Sequence, residues 1–194
     1  MRESRSVNEQ HLRLCASSEW AEVVENEILP WALDARTLGD TVLEVGPGPG
    51  LVTDLLRRLT PSLTAVEIDP VLARALQARL RGTGVEVVLG DGTALPFLDG
   101  QFSAATSFTM LHHVPSPDMQ DRLLAELCRV LQPGGLLVGV DSLDSSPWQK
   151  LHEGDVCVPV PPESFPDRLR AAGYAGVEVE VGENRFRFAA RRPA

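Results

Sequence analysis

Lysine is almost missing from this chain: Lys150 stands alone among 18 basic residues. Arginine carries the rest of the positive charge, so an arginine here says little about function. Acidic side chains outnumber basic ones, 27 to 18, for a formal net charge of -9. That excludes an extended phosphate-binding face, which needs clustered positive charge. The one basic cluster, Arg185, Arg187, Arg191 and Arg192, reads as a solvated strand face and a frayed tail. No apolar run reaches the ~18 residues of a membrane-spanning helix, and the charged Met1–Ser6 leads into no apolar signal region. Cysteine is sparse. Cys15, Cys128 and Cys157 form no CxxC pair, which argues against a disulfide framework or a cysteine-built metal module. Cys128, among apolar neighbours in a helical pattern, reads as core. The expectation is a cytoplasmic protein, monomeric or homodimeric, without a nucleic-acid or membrane partner.

What is present suits one ordinary domain: 194 residues, 43% hydrophobic. Residues 1–16 are polar and read as irregular. From Ser17 the apolar residues Trp20, Val23, Val24 and Ile28 share a helical face, and Pro30 with the Gly39-Asp40 turn separates that helix from the rest of the chain. Strands and helices then alternate. Strands are expected at 41–45, 63–68, 85–89, 102–108 and 136–140. Helices are expected at 51–59, from Asp69-Pro70 to Leu80, and from Ser116-Pro117 to Leu131. Asp69 is read as a helix N-cap with proline at the first helical position. Residues 144–162 read as irregular and proline-rich, followed by a helix over 162–172 and a hairpin, 177–181 with 185–189, around Gly182-Glu183-Asn184. The alternation demands an α/β fold with a parallel sheet covered on both faces, and the hairpin adds one antiparallel strand.

Ligands of such sheets bind at the carboxyl ends of strands where the strand order reverses. The first strand runs into Gly46-Pro47-Gly48-Pro49-Gly50. Glycines there admit close backbone approach, and the next helix start adds positive potential. This loop alone points to a nucleotide-type ligand and leaves NAD open. Glu67, at the end of the second strand, suits both hydroxyls of a ribose, whichever cofactor carries it. After the third strand, Asp91 can accept an adenine amine, and the backbone N–H of Gly92 or Thr93 can donate to a ring nitrogen.

The ordered series Val-Leu-Glu-Val-Gly-Pro-Gly-Pro-Gly, Ala-Val-Glu-Ile-Asp-Pro, Gly-Asp-Gly-Thr-Ala-Leu-Pro-Phe and Arg-Val-Leu-Gln-Pro-Gly-Gly resembles the class I S-adenosylmethionine-dependent methyltransferases. It is most similar to their ubiquinone/menaquinone-type and small-molecule branch. The resemblance covers residues 38–143 and extends more loosely over 162–190. It implies a Rossmann-like, doubly wound, seven-stranded, mostly parallel sheet over residues 38–194, with an N-terminal helical lid over residues 1–37. It implies that S-adenosylmethionine lies with its methionine part along Gly46 and Gly48 in the loop closed by Gly50. Glu44 would help hold the amino group, Glu67 the ribose and Asp91 the adenine end, and a backbone carbonyl of Ser107 or Phe108 would face the amino group. Ser103 stands where this branch commonly has aspartate.

Methyl transfer from a sulfonium needs alignment first, and a general base only for a protonated acceptor. His112 and His113, after the fourth strand, are the candidate bases; neighbours in an irregular segment point apart, so one of them is expected to face the pocket. Asp141, His152 and Asp155 are further candidates for the acceptor side. Trp20 and Trp31 read as core or as part of the lid. No metal site is expected, because His112, His113, Asp141 and His152 match no recognised ligand spacing. The expected activity is methyl transfer to a small-molecule acceptor. The alternatives are a methyltransferase of protein or nucleic acid, a non-catalytic S-adenosylmethionine-binding protein, and an NAD-dependent oxidoreductase. The GxGxG spacing and the Pro-Gly-Gly turn speak against the last.

Overall fold

A computed structural model describes residues 7–194; the first six residues of the expected N-terminal segment lie outside the described residues. Seven strands form one sheet in the order β3-β2-β1-β4-β5-β7-β6. They are β1 Thr41–Val45, β2 Ser62–Glu67, β3 Glu86–Leu89, β4 Phe102–Phe108, β5 Leu131–Ser142, β6 Ala175–Val181 and β7 Arg185–Arg191. β1 pairs in parallel with both β2 and β4, so the strand order reverses at its carboxyl end. Only β7 runs against its neighbours, as the hairpin requires.

Helices close both faces: α1 Glu9–Cys15, α2 Ser18–Val23, α3 Leu29–Leu33, α4 Leu51–Leu56, α5 Pro70–Arg79, α6 Pro117–Val130, α7 Ser146–Leu151 and α8 Phe165–Ala171. Alternate strand residues serve opposite faces. Leu43 and Val45 join one buried cluster, with Leu123, Leu124 and Leu127 of α6 and the ring of Phe165 set edge-to-face against those of Phe186 and Phe188. Val42 joins the other, with Val24, Ile28, Ala32 and Leu56. Each fully buried leucine contributes roughly 1.5–3 kcal/mol. No helix among the described residues is long and apolar enough to cross a membrane.

β5 begins at Leu131 and takes in the Pro133-Gly134-Gly135 segment expected as a turn, and three further departures from the sequence reading concern helices. The helix from Ser18 does not stop at Pro30: a π-helical turn, Val24–Ile28, joins α2 to α3, and the chain leaves at Asp34 in a left-handed conformation (φ 45°). The wider turn accommodates the missing proline N–H and its ring, which an α-helical interior would not. Residues 9–15 form α1, because the Asn8 side chain accepts from His11 N at 2.8 Å while Asn8 N donates to Asp155. This helix depends on a distant partner and leaves no periodic signature. Residues 146–151, expected irregular, form α7 with Ser145 as cap and Pro147 in its first turn.

Candidate functional site

At the switch point, β1 ends and Gly46, Gly48 and Gly50 take φ of +69°, +53° and +87°. A Cβ on Gly46 would sit 2.0 Å from Met110 Cγ, whereas one on Gly48 would meet nothing within 4 Å. Gly46 is therefore set by close packing, and Gly48 presents bare backbone to open space. Gly46 N donates to Val66 O at 2.9 Å. From α5, Arg79 donates to the carbonyls of Pro49 and Gly50 at 3.1 Å and to Asp54 at 2.6 Å. This arginine clamps the loop from behind. Nothing in its sequence context singled it out, since a basic residue in a last helical turn is commonplace.

Three carboxylates follow one another along the cavity that opens beside the loop. Glu44 is 2% exposed and its Oε2 has no hydrogen-bond partner. Burial pushes its pKa up to about 8, against the lowering effect of the nearby Thr53 hydroxyl. Glu67 Oε2 accepts Gly48 N at 3.0 Å and Oε1 accepts Asp69 N at 2.9 Å. Burial raises its pKa against the lowering effect of those two N–H groups. Each Glu67 oxygen keeps a second lone pair. Asp69 points away into its helix, where Oδ1 accepts Val71 N and Leu72 N. Asp91 Oδ1 accepts both the N–H and the hydroxyl of Thr93 at 2.8 Å. The Thr93 N–H, expected as a ligand donor, is thus engaged by Asp91. Gly92 and Thr93 still border the cavity.

Beyond β4 the wall continues through Phe108, Thr109 and Met110. Thr109 holds a left-handed backbone (φ 49°), and its N–H donates to Val140 O at 2.7 Å. The two neighbouring histidines divide. His113 is on the wall, its Nδ1 donating to Val156 O at 3.0 Å. Burial and the adjacent His112 depress its pKa to about 2, so it is neutral. His112 lies behind, 1% exposed, with its backbone N and its Nδ1 both directed to the Asp141 carboxylate, at 3.2 and 2.5 Å. Gly50, Ser107 and His112 do not reach the cavity wall; Ser107 is 1% exposed, with Oγ unpaired.

The far wall belongs to the N-terminal segment: Val7, His11, Leu12 and Cys15, with Trp20. His11 Nδ1 donates to Asp155 Oδ2 at 2.9 Å, which ties α1 to the loop after α7. The sequence reading expects a lid from this segment and names Trp20 for it, but does not single out Val7, His11, Leu12 or Cys15, since residues in an apparently irregular stretch carry no signal of where they will dock. Asp155 is the residue through which that stretch is anchored.

Comparisons with known proteins follow the same elements. A family model described as a methyltransferase domain matches residues 43–139. A methyltransferase of uncharacterised specificity from Mycobacterium sp. (strain KMS) is 40% identical over 100 residues, 52% of this chain and 38% of that protein. The ubiquinone biosynthesis O-methyltransferase of Xanthomonas axonopodis pv. citri is 35% identical over 102 residues, 51% of this chain and 41% of that protein. The chain thus spans less than half the length of these curated relatives. The crystal structure of a Pyrococcus horikoshii OT3 protein superposes with a TM-score of 0.75 at 19% identity, over 91% of this chain and 92% of that one. That likeness concerns the fold.

Proposed function

Since the chain belongs to the methyltransferase domain family, and specifically resembles its S-adenosylmethionine-dependent class I members, we propose that its cavity holds S-adenosylmethionine and that the protein methylates a small-molecule acceptor. The observation that carries the cofactor is Glu44 Oε2, a buried carboxylate oxygen without a partner at the cavity beside the glycine loop. An unpaired buried acceptor is costly, and an ammonium group is the partner it fits. The bare backbone of Gly48, the free lone pairs of Glu67 and the second oxygen of Asp91 extend the row. They match in turn the carboxylate-bearing, ribose and adenine parts of one elongated molecule.

When bound, S-adenosylmethionine supplies an electrophilic methyl on a sulfonium. The chain's own residues hold and align. Glu44, Gly46 and Gly48 fix the amino-acid part, with Gly50 shaping the turn; Glu67 fixes the ribose; Asp91 with Gly92 and Thr93 fixes the base. Phe108 borders the methionine side, and Ser107 supports it from within β4. Of the N-terminal segment expected over residues 1–37, the described part from Val7 onward serves as a lid that excludes water. His113 faces the reaction space as a neutral imidazole that borders the acceptor, and His112, held by Asp141, packs against it and positions it. The acidic net charge and the enclosed far wall support a small acceptor over a nucleic acid.

Thermal unfolding tests the cofactor. At 100 times its dissociation constant, S-adenosylhomocysteine is expected to stabilise the fold by about 2.7 kcal/mol, and NAD not at all. Stabilisation by NAD alone overturns the reading. Release of S-adenosylhomocysteine on incubation with pools of small hydroxyl, thiol and amine acceptors then tests turnover, and methylation of RNA or protein in their place overturns the acceptor class.

A further inference from the structure

All four histidines of the chain meet beside the cavity, although three widely separated segments carry them. Ring centroids lie 5.2 Å apart for His11 and His113, 4.4 Å for His11 and His152, and 5.4 Å for His113 and His152. In each of these three, Nδ1 is turned outward to an oxygen acceptor. His11 Nδ1 meets the Asp155 carboxylate at 2.9 Å, His113 Nδ1 the Val156 carbonyl at 3.0 Å, and His152 Nδ1 the Trp148 carbonyl at 2.7 Å. A carbonyl oxygen only accepts, so these rings carry their proton on Nδ1 and present a lone pair on Nε2. His152 is 5% exposed, and its Nε2 has no partner. One ligand atom from each residue lies within 4.8 Å of the other two. Three imidazole ligand atoms this close together, on rings each oriented by an outer acceptor, is the arrangement found around a bound transition metal.

We propose that His11, His113 and His152 form a binding site for a zinc-type divalent ion, with its open fourth position toward the cavity. Three neutral nitrogens with a free position are a ligand set of catalytic zinc. Closing from 4.8 Å onto Zn–N bonds of about 2 Å moves each nitrogen inward by less than about 1 Å. His11 and His113 also line the cavity, so the ion sits at its wall. Cys15 and Cys157 are not in the set, and burial pushes their thiols up to about 11 and 12.

The ion's role rests on the methyl-transfer reading; its binding does not. A hydroxyl or thiol acceptor entering the fourth position loses its proton to solvent, since a bound divalent ion lowers the pKa of its ligand strongly. The resulting oxygen or sulfur anion donates an electron pair to the methyl carbon. The carbon–sulfur bond of the donor breaks, and its pair returns to sulfur and cancels the sulfonium charge.

The test uses the untagged full chain, stripped with chelator and titrated with zinc chloride against a chromophoric competitor, then with cobalt(II) chloride. One zinc per chain and the intense visible bands of tetrahedral cobalt are expected. His152→Ala should abolish both, and Asp155→Asn should weaken zinc binding about 10–100-fold. Calorimetry with S-adenosylhomocysteine shows that each variant is folded and reports the methyltransferase reading independently of the metal. His11→Ala serves in place of His152→Ala if the latter does not bind the nucleoside. Failure to bind zinc in a chain that binds S-adenosylhomocysteine overturns the site, as does unchanged zinc binding in a folded histidine variant. Phenol and 2-mercaptoethanol serve as probes of the fourth position. A shift of the cobalt bands by either supports an open site for that acceptor type, and no shift by either overturns it.

Discussion

Glu44 combines burial, an unpaired oxygen and a position beside the glycine loop, so replacing it should separate stability from binding. The folded chain holds this proton up to about pH 8, against an ordinary 4.5. The unfolded chain releases it near pH 4.5. Between those values the unfolded state binds fewer protons, so folding stability falls as pH rises, is undiminished below 4.5 and levels off above 8. At ~1.4 kcal/mol per pH unit, the loss at pH 7 is roughly 3 kcal/mol. Glu44→Gln has no such proton to release. The free energy of unfolding of the wild type should therefore decline by roughly 3 kcal/mol relative to that of Glu44→Gln between pH 4.5 and 7, measured by urea denaturation of the ligand-free proteins. Ligand binding runs the other way. An ammonium beside Oε2 favours the ionised carboxylate, so binding expels the proton and affinity should rise with pH up to about 8, close to tenfold per unit. Calorimetry in buffers of different ionisation enthalpy should count about one proton released per S-adenosylhomocysteine at pH 7. The Gln variant should bind weakly and release none. Parallel stability curves for the two proteins, together with equal affinity, would refute the assignment of Glu44.

Other substitutions probe the rest of the site. Glu67→Ala removes the acceptor of both Gly48 N and Asp69 N along with the ribose ligand, so cofactor affinity should fall steeply by calorimetry. Asp69→Ala loses only a helix cap, worth about 1 kcal/mol of stability, with little change in affinity; the reverse order would identify the wrong acid. Gly46→Ala meets both a positive φ and Met110 at 2.0 Å, so it should destabilise the fold itself. Gly48→Ala, sterically free within the chain, should cost only ~1–2 kcal/mol of left-handed strain while blocking the ligand, which thermal melts with and without S-adenosylhomocysteine can separate. Asp141→Ala leaves the N–H groups of His112 and Ser142 without their acceptor in a buried site. At about 1–3 kcal/mol for each unpaired donor, it should lower unfolding stability by several kcal/mol in denaturant titrations.

The parts of this protein legible in its residues are those encoded locally. Apolar runs bounded by turn residues identify β1 and β2, because burial on both sheet faces forces continuous hydrophobicity. Asp69-Pro70 and Ser116-Pro117 announce helix starts, since cap and ring act within one turn. The glycine loop, Glu67 and Asp91 follow because alternation demands a parallel sheet, and ligands of such sheets bind at the carboxyl ends of its strands. Tertiary structure decided what depends on distant partners. Asp155 reaches across to Asn8 and His11 and makes a helix of residues that show no period. A π turn carries a helix through Pro30, where local rules end it. Asp141 draws His112 inward and leaves His113 on the cavity wall. His11, His113 and His152, from three separate segments, converge only when the N-terminal segment docks against the loop after α7. Ligand spacing within a motif can be read from a sequence; ligand geometry assembled from three separate segments exists only once the chain has folded.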